Sequence, residues 1–357
     1  MKILSPTAIL GYGFPRESFA RGLEKGPDLI AVDAGSTDPG PYYLGAGVSF
    51  TDRRAVKRDL EYMVEAAVDR GIPLMVGTAG GSGADAHLDW CAGIVREIAR
   101  ERKLKFALAT ISAEVEKEWA QEQLSHGNLK PLPPAPAAEK EEIELATGIV
   151  AQMGVEPLIA ALAEGADVIL AGRAYDPTVF AAPAIKNGFP PGLALHMGKI
   201  LECASIAAEP GSGSDCMFGI LREDHFILEP LNPSRRCTAT SVAAHTLYEK
   251  ENPYLLHGPG GLIDLRECQF SELDERRVKV TGSRFIPAEE YTLKLEGAKL
   301  VGYRTISIAG TRDPIMISRL DEIINAVREA VIDNFTGEVN PEEYWLLFRL
   351  YGKDAIM

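Results

Sequence analysis

The chain carries little positive charge for its length of 357 residues. Lysine and arginine total 37 against 51 aspartates and glutamates, which gives a net charge of −14. Such a surface repels phosphate backbones and anionic lipid headgroups. We therefore expect neither nucleic acid nor a membrane among its partners.

Paired cysteines and long hydrophobic runs are also lacking. The five cysteines are odd in number, far apart and without a C-x-x-C pair, which argues against a disulfide framework and a structural zinc site. No stretch approaches the roughly 18 uninterrupted apolar residues of a membrane-spanning helix. The N-terminus has no continuous apolar core of signal-peptide length. These absences predict a cytoplasmic protein with reduced thiols.

What the chain does have is the composition of a globular protein, with 46% hydrophobic and 25% charged residues. Its length suits about two domains. In the first half, continuous apolar runs are separated by segments whose apolar residues recur with the period of a helix. The apolar runs are "DLIAVDAG", "IPLMVG", "KFALATI" and "ADVILAG". This pattern is typical of a parallel sheet covered on both faces. It predicts a doubly wound, Rossmann-like α/β domain over residues 1–215.

Within that domain, the helical spacing of the apolar residues predicts helices at about 52–70, 85–101 and 112–124. A further helix is expected to continue towards residue 162, after the proline-rich segment 131–138. From residue 216 the pattern changes to period two, in "MFGILREDHFILEPL", "RVKVTGSRF", "YTLKLEGAKLVGYRTISIAG" and "IMISRL", followed by one long helix at about 320–334. We predict a second, strand-rich α+β domain over residues 216–357.

Polar side chains and glycines follow three of the predicted parallel strands, where ligands bind in open α/β sheets. The loops read "DAGSTDPG", "GTAGGSGADAH" and "GRAYDPT". Backbone amides of a glycine-rich loop at a helix N-terminus favour an anion, so residues 77–83 are predicted to hold carboxylate or phosphate. The candidate residues at these strand ends are Asp33, Asp38, Thr78, Gly80, Gly81, Ser82, Asp85, His87, Arg173 and Asp176.

Each of these residues also has a simpler structural explanation. The glycines can serve only to close the turn, and the loop matches neither nucleotide-binding fingerprint. Asp85 can be a helix N-cap. His87 can be a buried imidazole, and Arg173 with Asp176 can be an ion pair at a helix end. Three such loops at three strand ends favour a ligand site over these explanations.

A second group lies on one predicted helix, "LALHMGKILECAS". A cysteine near histidine and lysine can be a nucleophile of lowered pKa, or a small buried hydrophobe. Beyond this helix, Arg235 and Arg236 suit a carboxylate or phosphate, although they can also be a solvated counter-charge. The residues that share roughly one face of the helix are His196, Lys199, Glu202 and Cys203.

Several of these segments carry a family resemblance. "GRAYDPTVFAAPAIKNG", "GKILECAS", "ATSVAAHTLYEKENPYLL" and the terminal "FRLYGKDAIM" resemble the acyclic terpene utilisation AtuA family. The resemblance implies a bacterial or archaeal catabolic protein that handles acyl-CoA thioesters or carboxylic acids, together with a small partner domain that would here be a separate subunit. Where family members tend to have an E-C-G-A-Q run followed by Gly-Gly, this chain reads "ECASIAAEPGSGSD".

From the residues and the resemblance together we predict a lyase of the hydratase type, and expect a homo-oligomer. Hydration of an activated alkene needs a positioned proton donor and acceptor. A divalent metal is conceivable at the carboxylates, but no ligand spacing specifies one. Acyl transfer or hydrolysis through Cys203 remains open as an alternative, as does a non-catalytic acyl-binding subunit. The residues expected to supply the chemistry are Asp33, Asp38, Asp85, His87, His196, Glu202 and Cys203.

Overall fold

A computed structural model describes residues 1–37, 39–340 and 342–352, and it contains two compact units. The first unit is Met1–Leu300 and the second begins at Val301. The strands of the first unit are β1 (Lys2–Ser5), β2 (Leu29–Asp33), β3 (Leu74–Gly77), β4 (Leu108–Ile111), β5 (Ala146–Ala151), β6 (Val168–Ala171), β7 (Met217–Leu221), β8 (His225–Pro230), β9 (Leu255–Gly258), β10 (Gly261–Asp264), β11 (Gln269–Glu272), β12 (Val278–Thr281), β13 (Arg284–Pro287) and β14 (Leu295–Lys299).

The helices follow the same chain order. Those of the first unit are α1 (Arg16–Glu24), α2 (Pro41–Ala46), α3 (Arg53–Arg70), α4 (Asp85–Arg102), α5 (Lys117–Ser125), α6 (Lys140–Leu145), α7 (Glu156–Ala163), α8 (Thr178–Lys186), α9 (Pro191–Leu201), a short 3-10 helix (Ala204–Ala207) and α10 (Ala239–Thr246). The second unit contains α11 (Pro314–Ser318) and α12 (Leu320–Asn334), neither of which has a buried residue.

The main sheet has nine strands in the order β11-β12-β8-β7-β1-β2-β3-β6-β4. From β1 to β4 all neighbours are parallel, whereas β7, β8, β12 and β11 continue the sheet on the other side of β1 with antiparallel pairing. Two smaller sheets are antiparallel, with the orders β13-β10-β9 and β14-β5. The mixed α/β fold predicted from the sequence is therefore confirmed.

Both faces of the inner parallel strands β2, β3 and β6 are buried, because alternate side chains of each strand enter different cores. Leu29 and Ala31 of β2 pack in one core with residues of α8 and α9. Ile30 and Val32 pack in the other with residues of α3 and α4. This double burial explains why these strands are continuously apolar in the sequence.

Local signals set the helix ends. The carboxylate of Asp52 accepts hydrogen bonds from the backbone N–H groups of Arg54 and Ala55 at the start of α3, and Gly71 ends this helix with a φ of 63°. Thr238 and Ser241 form a reciprocal capping box at the start of α10. Each cap satisfies backbone groups that the helix itself leaves unpaired.

The predicted helices at 52–70, 85–101 and 320–334 are confirmed as α3, α4 and α12. The helix expected to continue towards residue 162 is wrong in part, because strand β5 precedes α7 and pairs with β14. The segment "IMISRL" lies in α11, at the C-cap Arg319 and at the start of α12, so its period-two assignment is also wrong.

The predicted domain boundary at residues 215 and 216 lies inside the first unit. The change of pattern there coincides with the change from parallel to antiparallel pairing within the main sheet.

None of the helices in the described part of the chain is long and apolar enough to cross a membrane.

Candidate active site

Neighbouring strands bring three of the predicted loops to one edge of the main sheet. Asp33 is the last residue of β2, Thr78 directly follows β3, and Arg173 comes two residues after β6. These strands are adjacent and parallel, so their carboxyl ends meet. The three side chains are buried. This is the edge at which the sequence predicts a site.

Arg173 is the centre of an ion-pair network. Its Nε and Nη2 donate to the two carboxylate oxygens of Glu296 at 2.9 and 3.1 Å. Its Nη1 donates to Asp176 Oδ1 at 2.9 Å, to the carbonyl of Ala174 at 2.6 Å and to Thr78 Oγ1 at 3.3 Å. The guanidinium is thus already paired with two carboxylates, and it fixes the β6–α8 loop to β14.

Helix α9 contributes a second buried pair. Lys199 and Glu202 are one helical turn apart, and the ammonium of Lys199 donates to Glu202 Oε1. Their side chains are 2% and 5% exposed, respectively. Cys203 follows at the helix end and is partly buried. The charge of Asp176 acts on Lys199, Glu202 and Asp33, so this pair and the strand-end residues form one group, called the cluster below. Its members are Asp33, Arg173, Tyr175, Asp176, Lys199, Glu202, Cys203, Lys250 and Glu296.

Burial perturbs the acids of this cluster. Loss of solvent raises the pKa of Glu202 to about 8, against the opposing effect of Lys199 and with a further increase from Asp176. Burial also raises the pKa of Asp33 well above its ordinary value, with a contribution from the Asp176 charge, while Arg173 opposes the change. Both carboxyl groups therefore favour the protonated form far more than an exposed acid does.

Each of these two acids has a buried oxygen without a hydrogen-bond partner among the described residues. The atoms are Asp33 Oδ1 and Glu202 Oε2. The hydroxyl of Tyr175 is buried and unpartnered in the same way, and its pKa is raised by burial and by the charges of Glu202 and Asp176. Buried polar groups in folded proteins are nearly always paired, so unpaired ones at one place indicate a functional arrangement.

The end of α10 and the residues after it line the cluster from another side. The Tyr248 ring stacks on His245 with 5.5 Å between ring centroids, and Lys199 Nζ lies 5.6 Å from the centre of the Tyr248 ring. Lys250 Nζ lies 5.5 Å from the centre of the Tyr175 ring. Burial, followed by the Lys199 charge, lowers the pKa of Lys250 and lowers that of His245 to about 4.

The glycine-rich loop is packed tightly beside this cluster. A Cβ at Gly80 would clash with the carbonyl of His87, and one at Gly83 would clash with the backbone nitrogen of Arg173. Both glycines, and Gly81, have positive φ. Ser82 Oγ is buried without a partner among the described residues. The anion-binding role of this loop stays a prediction, because its glycines are explained by packing alone.

Thr78 is the strained residue of this loop. Its φ is 46°, which is unusual for a β-branched residue. Its hydroxyl accepts from Arg173 Nη1 and from the backbone N–H of Ala174 at 3.4 Å. Strain of this kind persists where the surroundings hold it, as is common at functional sites.

The remaining predicted residues lie in other settings. His87 is buried, with Nε2 3.0 Å from the Tyr43 carbonyl and 3.2 Å from that of Val48. Asp85 is exposed in the first turn of α4 and accepts from Ser112 at 2.5 Å. Asp38 lies outside the described residues.

His196 is fully buried, and both of its ring nitrogens are engaged. Nδ1 lies 2.7 Å from Ser283 Oγ and Nε2 lies 3.0 Å from Thr246 Oγ1. Burial and the Lys199 charge lower its pKa to about 3, so the ring is neutral. These contacts connect α9 to the turn between β12 and β13 and to the end of α10.

Arg235 and Arg236 each pair with a carboxylate. Arg235 Nε donates to Asp215 Oδ2 at 2.8 Å, and Arg236 lies 3.5 Å from Glu209. Asn232 donates to the same oxygen of Asp215 at 2.8 Å. The two arginines are held in the segments that flank β7 and β8.

Sequence reasoning missed several residues of the cluster. Tyr175 stands inside the quoted "GRAYDPT" motif, so its position between Arg173 and Asp176 was the available signal. Lys250 lies in "LYEKENPYLL", which was noted only for its resemblance. Glu296 is 123 residues from its partner Arg173, and nothing in its local sequence distinguishes it.

No cluster of three or more His, Cys, Asp or Glu side chains suited to a metal ion occurs within residues 1–37, 39–340 and 342–352. The buried acids instead have basic neighbours. Lys199 pairs with the buried Glu202, and the charge of Arg173, which pairs with the partly exposed Asp176, acts on the buried Asp33. The arrangement can therefore hold and move protons between buried groups in a region of low dielectric.

A family model describes this chain over two long stretches. It matches residues 52–212 and 224–354, which include Arg173, Lys199, Glu202 and Lys250 but not Asp33. No curated protein and no solved structure matches the chain. Because the family model covers most of the sequence, the chain belongs to the acyclic terpene utilisation AtuA family.

Proposed function

We propose that this protein is an acid–base enzyme, a lyase of the hydratase type, which acts on a small carboxylic acid or its CoA thioester during acyclic terpene utilisation. The family supports the metabolic setting. The observation that carries the proposal is the pair of buried acids, Asp33 and Glu202, each with one unpartnered oxygen, of which Glu202 is also paired with the buried Lys199.

The two acids differ in surroundings, which assigns their roles. Glu202 has the ammonium of Lys199 as a direct partner, so its carboxylate is the better stabilised of the two and acts as the base. Burial, followed by the Asp176 charge, raises the pKa of Asp33 against the effect of Arg173, and Asp33 has no ion pair among the described residues, so we assign it the role of the acid. Pairs of carboxyl groups with unequal surroundings are the usual basis of such a division.

Hydration would then proceed as an addition of water across an activated carbon–carbon double bond. Glu202 takes a proton from water as the oxygen bonds to the β-carbon, and Asp33 delivers a proton to the α-carbon. Lys199 stabilises negative charge that develops on the substrate carbonyl. The proton gained by Glu202 returns to Asp33 through solvent, which restores both groups and balances the reaction.

Acyl transfer through Cys203 is less well supported. Burial raises the pKa of the Cys203 thiol, and the charge of Glu202 raises it further. A thiol that holds its proton is a weak nucleophile. A purely acyl-binding subunit would have no use for two buried acids that each keep one unpartnered oxygen, because such oxygens impose a cost on folding.

The test offers the protein a panel of α,β-unsaturated carboxylic acids and their CoA thioesters. Turnover is measured as the loss of the absorbance of the conjugated alkene. We expect hydration of at least one member by the wild type. Glu202→Gln and Asp33→Asn should lower kcat by about 10²- to 10⁴-fold. Cys203→Ser should keep most of the activity.

Two outcomes contradict the proposal. An acyl adduct on Cys203, detected by mass spectrometry and lost in Cys203→Ser, would assign acyl transfer instead. Binding of panel members without turnover, even with a small partner subunit added, would assign an acyl-binding role.

A further inference from the structure

A cavity of about 230 Å³ lies next to the cluster, and Tyr175 borders both. Its wall is mainly apolar and comes from α8, α9, β9, β10 and β13. The apolar side chains that line it include Ile185, Leu195, Leu256, Leu262, Ile263 and Phe285. Pockets that bind small molecules have this character, with a few polar groups to orient the ligand.

Tyr175 forms the wall that the cavity shares with the cluster. The residue lines the cavity, and the charges of Glu202, Asp176 and Lys199 act on its hydroxyl. Gly258 of β9 allows the ring to lie there, because a Cβ at this position would come within 2.7 Å of the ring. The cavity therefore reaches the proposed reacting groups at Tyr175.

The polar groups of the cavity wall differ in whether they already have a hydrogen-bond partner. Thr178 Oγ1 donates to the Tyr175 carbonyl at 2.6 Å, and the Tyr291 hydroxyl donates to Glu156 at 2.9 Å. The Tyr175 hydroxyl has no partner among the described residues. Because this hydroxyl is not accessible to solvent, a ligand in the cavity meets the ring of Tyr175, and the wall offers mainly contacts for hydrocarbon.

We infer that this cavity binds the aliphatic chain of the substrate's acyl group, with the reacting end at Tyr175, and that its volume limits the length of the chain. The inference rests on the proposed function and extends it to a substrate class. An engineered cavity of about 150 Å³ holds the six carbons of benzene, so 230 Å³ corresponds to a chain of about nine carbons.

The experiment measures binding of saturated straight-chain acids and of their CoA thioesters by calorimetry, with chains from shorter to longer than the cavity. Affinity should rise roughly fourfold for each added methylene, and then stop rising at about nine carbons. The two series distinguish a free acid from a thioester as the source of the acyl chain. Affinity that does not depend on chain length would overturn the inference.

Variants locate the effect. Leu262→Trp fills part of the cavity from β10, at a position where the side chain is only half-buried. This variant should shorten the acyl chain that binds most tightly by several carbons. Ile185→Phe on α8 is a second filling variant, in case the first folds poorly. Leu132→Trp is the control, because Leu132 is exposed and lies away from the cavity. An unchanged optimum in both well-folded filling variants would refute the assignment of this cavity.

The saturated ligands have no double bond to hydrate, so binding is measured without turnover. If the panel shows no hydration but the length dependence holds, the acyl site stands and the hydratase proposal falls. If hydration occurs without length dependence, the reverse applies.

Discussion

Removal of the Arg173 guanidinium should destabilise the first unit. The size of the loss tests whether the ion-pair network of Arg173 stabilises the site. In Arg173→Met, the carboxylates of Glu296 and Asp176 lose their partner while remaining 19% and 24% exposed. Breaking a buried ion pair by removing one member costs about 3 to 5 kcal/mol. Partial exposure of the two carboxylates lets water compensate in part, so we expect the lower end, about 3 kcal/mol.

For a unit of this size, 1 kcal/mol shifts Tm by about 2 °C, so Arg173→Met should lower Tm by about 6 °C. Differential scanning calorimetry at neutral pH measures the shift. Adding Glu296→Gln removes one orphaned charge and should restore part of the loss, as in a double-mutant cycle.

The matched control is Arg277→Met. Arg277 pairs with Asp274 at 2.6 Å, but both side chains are about two-fifths exposed, so little change in Tm is expected. A shift in Arg173→Met no larger than in this control, or no recovery in the double variant, would refute the claim that the network fixes the site.

Three further predictions concern the acids, the loop and the buried imidazole. If Glu202 is the base, it must be ionised to act, so kcat should rise as pH increases through about 8, and Glu202→Gln should lose that limb of the profile. Gly83→Ala should lower both Tm and activity, because its Cβ meets the Arg173 backbone, whereas Gly165→Ala, with φ of 81° and open space, should cost only about 1 kcal/mol of backbone strain and leave kcat unchanged. His196→Gln should lower Tm without moving the pH profile, and a moved profile would show that this ring takes part in the chemistry.

The parallel half of the fold could be predicted because its signal is local. Strands β2, β3 and β6 are buried on both faces, and this leaves continuous apolar runs in the sequence. Their order brings Asp33, Thr78 and Arg173 together, so the edge that carries the site follows from the strand ends.

The antiparallel half could not be placed from the sequence. Pairing of β1 with β7 joins residues more than 200 positions apart, for example Lys2 with Ile220, and no local pattern records it. The same limit hid Glu296, whose strand β14 pairs with β5 across the chain. The roles of Tyr175 and Lys250 depend on burial and on neighbours that only the tertiary structure supplies.

The 123-residue separation of Arg173 and Glu296 has a consequence for synthesis on the ribosome. At about 5 to 20 residues per second, Arg173 leaves the ribosome roughly 6 to 25 seconds before Glu296, the second of its two counter-ions, has been synthesised. During that interval only Asp176 can pair with the guanidinium, and the β6–α8 loop has no strand β14 to which it can bind. The nascent chain must therefore keep this loop hydrated until β14 emerges, so the charged cluster is assembled late in translation while the strands beneath it can already be paired.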